Sequence, residues 1–392
     1  MSSPAAARIV EIPARVWTRT ASVDFFRGLG LWMVFVDHMA PNIWSYLTIW
    51  RFGFSDFAEI FVFLSGFIGV GSYQRALEAG KTGAVVKKLF HRVRRLYVAH
   101  ILSLGISLMV LGIFAAYNVR VDDPGLYVWM QEPVRYALRA LTLTYAPAVF
   151  SLLPLYISIA PILLLASIGL RRVPKLTFAI SGCLWLASQI PALDSRMSIP
   201  AWVLHPVAWQ FLFVLGAGAR YYSDHLQKMA PSRALIWVAA AIVAVSVVLK
   251  SLTYHRIVPL LPAALHGIPG LNVGKDHLAY YRLLHFLAVL VLVYAWTRGN
   301  PRRLQSWLAR LAMACGEDSL FIYSSILVLD VLANLVLAVT HGGVLMQTEM
   351  TVCGLALLCG MAWLRRPRPR VEGVPVRPAR SKAARNDVSS FF

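Results

Sequence analysis

The residues of this chain that most clearly could do chemistry are Arg27 and His38, eleven positions apart in the first long apolar segment. On an α-helix this spacing is about three turns, so both side chains face nearly the same way, roughly 16 Å apart. Asp24 and Asp37 lie beside them. Ionisable groups are costly inside a membrane helix and usually mark a path for a substrate or a proton. The pair therefore predicts a functional site along the first helix.

The elements that must position this pair are membrane helices. Of 392 residues, 58% are hydrophobic and only 14% are charged, and the mean hydropathy is +0.63. A soluble protein has about 25% charged residues. The apolar residues form long blocks, without the alternating segments of a membrane β-barrel. The sequence thus predicts an all-α, polytopic membrane protein with about ten transmembrane helices. The expected spans lie near 24–42, 57–74, 96–117, 148–170, 176–192, 205–222, 234–253, 281–298, 317–340 and 348–364.

The net charge of +20 is concentrated in short segments between the apolar blocks and in the carboxyl-terminal tail. Because Lys and Arg favour cytoplasmic loops, this pattern predicts that both termini are cytoplasmic. It also argues against a nucleic-acid partner. We expect a cytoplasmic segment at 1–20, a membrane domain at 21–365 and a basic, disordered cytoplasmic tail at 366–392.

Carboxylates lie at the depth expected for His38. Glu59 is on the outward part of the second span, which is antiparallel to the first, and Asp37 and Asp56 are close in sequence. A carboxylate beside an imidazole tunes it as a general base. Any of the three is a candidate partner for His38. The structural alternative is a polar contact between two helices.

The segment that follows the second span is strongly basic. It contains Arg92, Arg94 and Arg95 in "KKLFHRVRRLYVAH". One interpretation is an anchor that fixes orientation. The other is a phosphate site, since Arg binds phosphate oxygens bidentately. The three phosphates of coenzyme A would suit such a site, with Arg27 beside it.

Several further polar residues lie within or next to the spans. Trp209 and Gln210 occur in the sixth span, where a hydrogen bond between helices is the structural alternative for Gln210. Ser319 and Tyr323 lie at the start of the ninth span. For "FLSG" at 63–66, helix packing is favoured over a serine nucleophile. Five histidines in or near the outward half could line an acceptor site, namely His205, His255, His266, His277 and His285. No pair of them has the spacing of zinc ligands, so no metal is expected.

Two outward stretches are predicted to differ from the spans. The segment 118–147 contains "EPVRYALRALTLTYAP", which predicts an interfacial amphipathic helix or, alternatively, a re-entrant segment. The segment 254–280 contains "PLLPAALHGIPG", whose Pro and Gly residues predict irregular structure.

The segments "SVDFFRGLGLWMVFVDHM" and "FGFSDFAEIFVFLSGFIGVGSY" together resemble the OpgC-like branch of the acyltransferase-3 superfamily. "FHRVRRLYVAH", "WQFLFVLGAG" and "GEDSLFIY" extend the resemblance over about 22–340. An arginine, ten residues and a histidine form a signature of the superfamily, which here falls on Arg27 and His38. The resemblance implies a multi-pass protein of the bacterial inner membrane. Such proteins move acyl groups from cytoplasmic coenzyme A thioesters to carbohydrate outside, with succinyl groups and osmoregulated periplasmic glucans typical of OpgC proteins.

The resemblance also implies roles for individual residues. His38 would be the general base or acyl-transfer residue, with Glu59 as a polar partner in the site. Arg27 and the Arg92–Arg95 cluster would lie near the coenzyme. In many relatives a histidine follows the serine–tyrosine part of the ninth-span motif, whereas this chain has Ser324 and Ser325.

We therefore expect a membrane O-acyltransferase that uses acyl-CoA, expected to be succinyl-CoA, as co-substrate and binds no cofactor permanently. Its partners would be a periplasmic glucan or other envelope carbohydrate and the lipid bilayer. The expected catalytic residues are His38, Glu59 and Asp37. The residues expected to bind the coenzyme are Arg27, Arg92, Arg94 and Arg95. The residues expected to bind substrate are Asp56, Trp209, Gln210, Ser319 and Tyr323. Direct transfer and transfer through an acyl-enzyme both remain open. The rival hypotheses are a transporter or flippase of an acylated or lipid-linked sugar, with His38 and Glu59 as a proton relay, and a non-catalytic scaffold.

Overall fold

The computed structural model describes residues 20–117, 129, 131–194, 204–254, 274–299 and 304–366, and within these ranges all regular structure is helical. Twelve helices of eight or more residues are described, and we number them in chain order. They are α1 Thr20–His38, α2 Phe57–Glu78, α3 Thr82–Ala116, α4 Pro133–Leu141, α5 Leu152–Arg172, α6 Pro174–Ser188, α7 Pro206–Tyr221, α8 Arg233–Tyr254, α9 Tyr280–Gly299, α10 Trp307–Glu317, α11 Ser319–Val339 and α12 Val344–Arg365. The segments 1–20 and 366–392, which we predicted as cytoplasmic, lie almost wholly outside the described residues, and so does "PLLPAALHGIPG".

Each of the ten predicted spans contains a helix, and in the described chain seven helical segments are long and apolar enough to cross a membrane. The all-helical, multi-pass membrane fold is therefore confirmed. The other three spans correspond to α1, α6 and α7. Helices α6 and α7 have only 15 and 16 residues, and α1 contains three charged side chains, Asp24, Arg27 and Asp37. A count of ten stays a prediction.

Helix α10 occupies a segment that we predicted as a loop between spans, 299–316. Its N-cap is Ser306, whose hydroxyl accepts a hydrogen bond from the Ala309 amide at 3.1 Å. Helix α10 packs directly on α1. A Cβ atom on Gly28 would overlap the carbonyl of Ala312, and one on Gly316 would overlap the carbonyl of Asp24. Glycine at both contacts lets the two backbones touch, which fixes the part of α1 that carries Arg27.

Helices α2 and α7 approach each other in the same way. A Cβ on Gly66 would overlap the Phe213 carbonyl, and one on Gly216 would overlap that of Phe63. The packing interpretation of "FLSG" is thus confirmed for Gly66. The helix predicted within 118–147 is also present, as α4.

Candidate active site

A cavity of about 650 Å³ lies where the carboxyl end of α1 meets the amino end of α2. Its volume is in the usual range for a small-molecule site, about 300–1,000 Å³. Several predicted site residues meet there, because its wall includes His38, Asp37, Asp56 and Tyr323. Aromatic and cationic side chains complete the polar part of the wall, namely Tyr46, Trp50, Arg51 and Lys275.

His38 faces this cavity from the last turn of α1, with 32% of its side chain exposed. Its Nδ1 atom lies 3.4 Å from Oδ2 of Asp330, a buried carboxylate in the middle of α11. In the described part of the chain, neither oxygen of Asp330 has a hydrogen-bond donor. Asp330 therefore faces the imidazole as its nearest charged neighbour, and the Nε2 atom of His38 is left for the cavity.

Helix α11 also holds the backbone around His38. The side chain of Asn334 donates a hydrogen bond to the carbonyl of His38 at 3.0 Å and accepts one from the amide of Ala40 at 2.8 Å. Asp330 and Asn334 are four residues apart and share one face of α11. One helix thus fixes both the carboxylate and the chain end that carries the imidazole.

Asp330 was missed in the sequence analysis, although a signal was present. It is a single carboxylate within the apolar run "ILVLDVLANLVL". An ionisable residue inside a membrane helix is by default a candidate for function. Proximity in sequence favoured Glu59, Asp37 and Asp56 as partners of His38, whereas the structure provides the carboxylate from 292 positions away.

Glu59 and Asp56 belong to a buried ion network at the start of α2. Arg282 of α9 lies 2.7 Å from Oε1 of Glu59 and 3.2 Å from Oδ2 of Asp56. Lys275 lies 2.6 Å from the same Asp56 oxygen. The second oxygen of Glu59 accepts a hydrogen bond from the Asp56 amide at 2.9 Å, and Asp56 accepts one from Ala58, which together form a capping box.

This network replaces the predicted pairing of Glu59 with His38, since the carboxylate of Glu59 is already bound to Arg282 and the Asp56 amide. Burial alone would raise the pKa of the Asp56 carboxyl, but the positive charges of Lys275 and Arg282 outweigh it and hold this pKa below its usual range. Asp37 is also bound elsewhere, because it accepts a hydrogen bond from the Thr48 hydroxyl at 2.5 Å. Sequence reasoning singled out neither Arg282 nor Lys275.

The loop that carries Lys275 is held by polar side chains of α6 and α7. The indole N–H of Trp209 lies within hydrogen-bond distance of the carbonyls of Lys275 (3.1 Å) and Asp276 (2.9 Å). On the other side, Trp185 donates to the carbonyl of Leu278 at 3.1 Å and Gln189 donates to that of His277 at 2.7 Å. We predicted that Trp209 binds substrate. Its side chain is fully buried, and its hydrogen bonds hold the backbone of Lys275 in place.

Gln210 and Tyr323 make contacts of different kinds. Gln210 exchanges two hydrogen bonds with Ser181, and these bonds join α7 to α6. Its contacts are those of the alternative that we gave for it, a hydrogen bond between helices. Tyr323 lines the cavity and donates its hydroxyl to the carbonyl of Val149 at 3.0 Å.

A second polar cluster lies around Arg27, nearer the other end of α1. Arg27 donates a hydrogen bond to Ser319, another predicted site residue. Arg92 of α3 donates to the Ser65 hydroxyl at 2.6 Å. The charges of both arginines act on the hydroxyl of Tyr156, and each arginine lies within the other's electrostatic range. The structure thus places Arg27 and Arg92 within each other's electrostatic field, and a shared role in binding the coenzyme stays a prediction. Arg94 and Arg95 are exposed on α3.

The described histidines that we predicted to lie in or near the outward half are bound in local contacts. His205 and His277 stack with ring centroids 4.8 Å apart, and His277 lies 2.8 Å from the Asp276 carboxylate. His285 is buried against Ser55, whose hydroxyl lies 2.6 Å from its Nδ1 atom. His255 and His266 are outside the described residues.

A family model described as OpgC protein matches residues 19–370 of this chain. The chain belongs to the OpgC family. Membership of this family indicates a membrane acyltransferase that acts on glucans. The matched range includes the whole His38 cavity and the Arg27 cluster. No curated protein and no solved structure matches the chain.

Proposed function

We propose that this OpgC family member is an inner-membrane O-acyltransferase that moves an acyl group, expected to be succinyl, from cytoplasmic acyl-CoA to a periplasmic glucan. The observation that carries the proposal is the position of His38, which faces a cavity and is held beside the buried carboxylate of Asp330. The wider acyltransferase-3 relationship is part of the same proposal.

Charge distribution supports the orientation. With both termini in the cytoplasm, the basic amino-terminal part of α3 and the end of α12 at Arg365 and Arg366 lie inside, as the positive-inside rule expects. The Arg27 cluster then opens to the cytoplasm and the His38 cavity to the periplasm. We count α1, α6 and α7 as spans in this topology, which gives ten. For α1, the charged residues that lower its hydropathy are the ones the site requires.

Arg27 and Arg92 are proposed to bind the coenzyme. Two guanidinium groups within each other's field repel, and an anion between them relieves that repulsion. The side chains that they contact, Ser319 and Ser65, are neutral, as is Tyr156 nearby, and the Asp24 carboxylate lies 4.0 Å from Arg27. A phosphate group of coenzyme A fits this environment. The pantetheine arm would then extend along α1 toward His38, roughly 16 Å away by helix geometry.

In the proposed reaction, His38 acts as general base through Nε2. It takes the proton of a glucan hydroxyl while the hydroxyl oxygen attacks the thioester carbonyl carbon. A C–O bond forms, the C–S bond breaks, and His38 returns the proton to the departing thiolate of coenzyme A. Asp330 stabilises the imidazolium that forms and keeps the ring oriented, so it acts as a positioning residue.

The experiment is mass spectrometry of the periplasmic glucan from cells that carry the wild-type protein, no protein, or His38→Ala. General-base catalysis contributes on the order of 10²–10⁴ in rate, so the acyl mass increment should disappear with His38→Ala as it does with the deletion. His225→Ala, which changes an exposed histidine at 223–228, is the matched control and should keep the increment. An increment that persists in a normally inserted His38→Ala protein would remove His38 from the mechanism.

A further inference from the structure

The wall of the His38 cavity carries two cationic side chains whose charge the reaction described above does not use. Arg51 and Lys275 both line the cavity. Arg282 and Lys250 lie behind them, close enough for all four charges to interact. The carboxylates within the same range are Asp37, Asp56 and Glu59. Among the described residues, the cavity wall itself carries two of these cations, Arg51 and Lys275, and two carboxylates, Asp37 and Asp56. Arg282, Lys250 and Glu59 lie behind it, and Asp330 lies beside His38.

The carboxylates are already committed to groups of the protein. Glu59 binds Arg282 and the Asp56 amide, Asp56 binds Lys275, Arg282 and the Ala58 amide, and Asp37 accepts from Thr48. In the part of the chain that the structure describes, no carboxylate lies within ion-pair distance of the Lys250 ammonium. An anion that enters the cavity would meet the Arg51 guanidinium and the Lys275 ammonium, with the Lys250 charge behind them, in surroundings that screen charge poorly.

Arg51 is held in a fixed plane by aromatic rings. Its guanidinium carbon lies 4.2 Å from the ring centroid of Tyr46 and 4.6 Å from that of Trp50. Both rings also line the cavity. A stacked guanidinium keeps its N–H donors in the plane of the group, the geometry in which arginine binds carboxylate or phosphate bidentately.

Lys275 is preorganised in a different way. Its backbone carbonyl is held by Trp209, and its ammonium lies 2.6 Å from Asp56 while 43% of the side chain stays exposed. An ammonium has three donors, so contact with one carboxylate oxygen leaves capacity for a second anion. Both cations line the same cavity as His38, and the charges of His38 and Arg51 both act on Asp37.

We propose that Arg51 and Lys275 form an anion subsite in the His38 cavity, which binds a carboxylate or phosphate group of one substrate during transfer. This inference rests on the proposed function. The anionic group has two sources with the same chemistry: the far carboxylate of a dicarboxylic acyl group, or a charged substituent on the glucan. The subsite selects a charged substrate over a neutral one of similar size.

The test uses the purified full-length protein in lipid vesicles with two pairs of substrates. The acyl pair is succinyl-CoA and butyryl-CoA, which have the same number of acyl carbons. The acceptor pair is a neutral glucan and the same glucan carrying phosphoglycerol groups. The measured quantity is the ratio of kcat/KM for the charged and the neutral member of each pair, with wild-type protein, Arg51→Gln and Lys275→Gln.

We expect each variant to lower one of the two ratios by about 10- to 100-fold, the effect of losing one charge-assisted hydrogen bond. A lowered acyl ratio assigns the subsite to the acyl group, and a lowered acceptor ratio assigns it to the glucan. Arg51→Lys and Lys275→Arg keep the charge and should restore most of the ratio. Arg135→Gln removes an exposed cation of α4 that pairs with Glu132, and should leave both ratios unchanged.

Two results would overturn the proposal, and they differ from failure of the proposed function. If both variants transfer the charged and the neutral substrates at wild-type rates, the cations serve only to balance Asp56 and Glu59. If the variants lower transfer of charged and neutral substrates equally, their role is structural. Absence of acyl transfer by the wild-type protein with every donor and acceptor would instead contradict the proposed function itself.

Discussion

Asp330→Asn is the substitution that most specifically tests the geometry around His38. Asparagine keeps nearly the same shape and removes the charge that faces the imidazole. At the observed separation of 3.4 Å, a carboxylate and an imidazolium attract by about 5 kcal/mol for an effective dielectric constant of roughly 20. That value is an upper limit, because Asp330 also loses hydration when it is buried.

The net effect should be close to that of a hydrogen bond to a charged group, about 1.5–3 kcal/mol. Since about 1.4 kcal/mol corresponds to a factor of ten, kcat should fall by about 10- to 150-fold. The binding of acyl-CoA should change little, because Asp330 acts on the imidazolium that forms during the reaction. Folding should be preserved, because a neutral amide is less costly to bury than a carboxylate.

The assay is acyl transfer by purified protein in vesicles, with labelled acyl-CoA and glucan. Asp330→Asn, His38→Ala and the double variant are compared, and Asp224→Asn, a change at an exposed carboxylate of 223–228, serves as the control. If Asp330 acts through His38, the double variant should be no slower than His38→Ala alone. A normal kcat for Asp330→Asn, or effects of the two substitutions that simply add, would refute the reasoning.

Three further predictions concern the network beneath the cavity. Glu59→Gln leaves the buried Arg282 with one carboxylate fewer and should lower the free energy of unfolding by about 3–5 kcal/mol; an unchanged unfolding temperature in detergent would contradict this. Trp209→Phe removes the indole N–H that donates to the Lys275 loop. It should reduce the rate of transfer by roughly two- to fivefold and the free energy of unfolding by about 1 kcal/mol. Unchanged kinetics would show that the loop does not need this hydrogen bond. Because the pKa of Asp56 is depressed in the folded protein, its carboxylate stabilises the fold above the ordinary carboxyl range, about pH 4, and this contribution is lost as the pH falls toward the depressed pKa. The difference in unfolding temperature between wild type and Asp56→Asn should thus be constant from pH 8 to pH 5 and shrink in stronger acid; a difference that already shrinks at pH 6 would contradict the assignment.

The positions of the helices could be predicted because a membrane span leaves a direct record in hydropathy. The apolar blocks predicted the spans, and the spacing of Arg27 and His38 on one helix depends only on helix geometry. The prediction of a loop at 299–316 was wrong. Helix α10 is too short and too rich in small residues to register as a span, and its position depends on the glycines that let it touch α1.

The partners of the site residues could not be predicted, because they are set by tertiary contacts between distant segments. Arg282 reaches Glu59 from 223 positions away. The lone carboxylate of Asp330 is visible in its apolar run, but nothing in the local sequence shows that it reaches His38. Proximity in sequence favoured Glu59 as the partner of His38, whereas in the packed helices the Glu59 carboxylate binds Arg282. Lys275 depends on a loop that Trp209 holds from another helix.

The central proposal is most directly tested by vesicles that contain the purified protein, with glucan inside and labelled succinyl-CoA added only outside. Protein molecules whose Arg27 cluster lies on the outer side of the vesicle should transfer the labelled acyl group to the enclosed glucan. The amount of free coenzyme A released should equal the amount of acyl group transferred. His38→Ala should do neither. Labelled glucan without release of coenzyme A, or equal labelling by His38→Ala, would contradict an acyltransferase that uses His38 as its base.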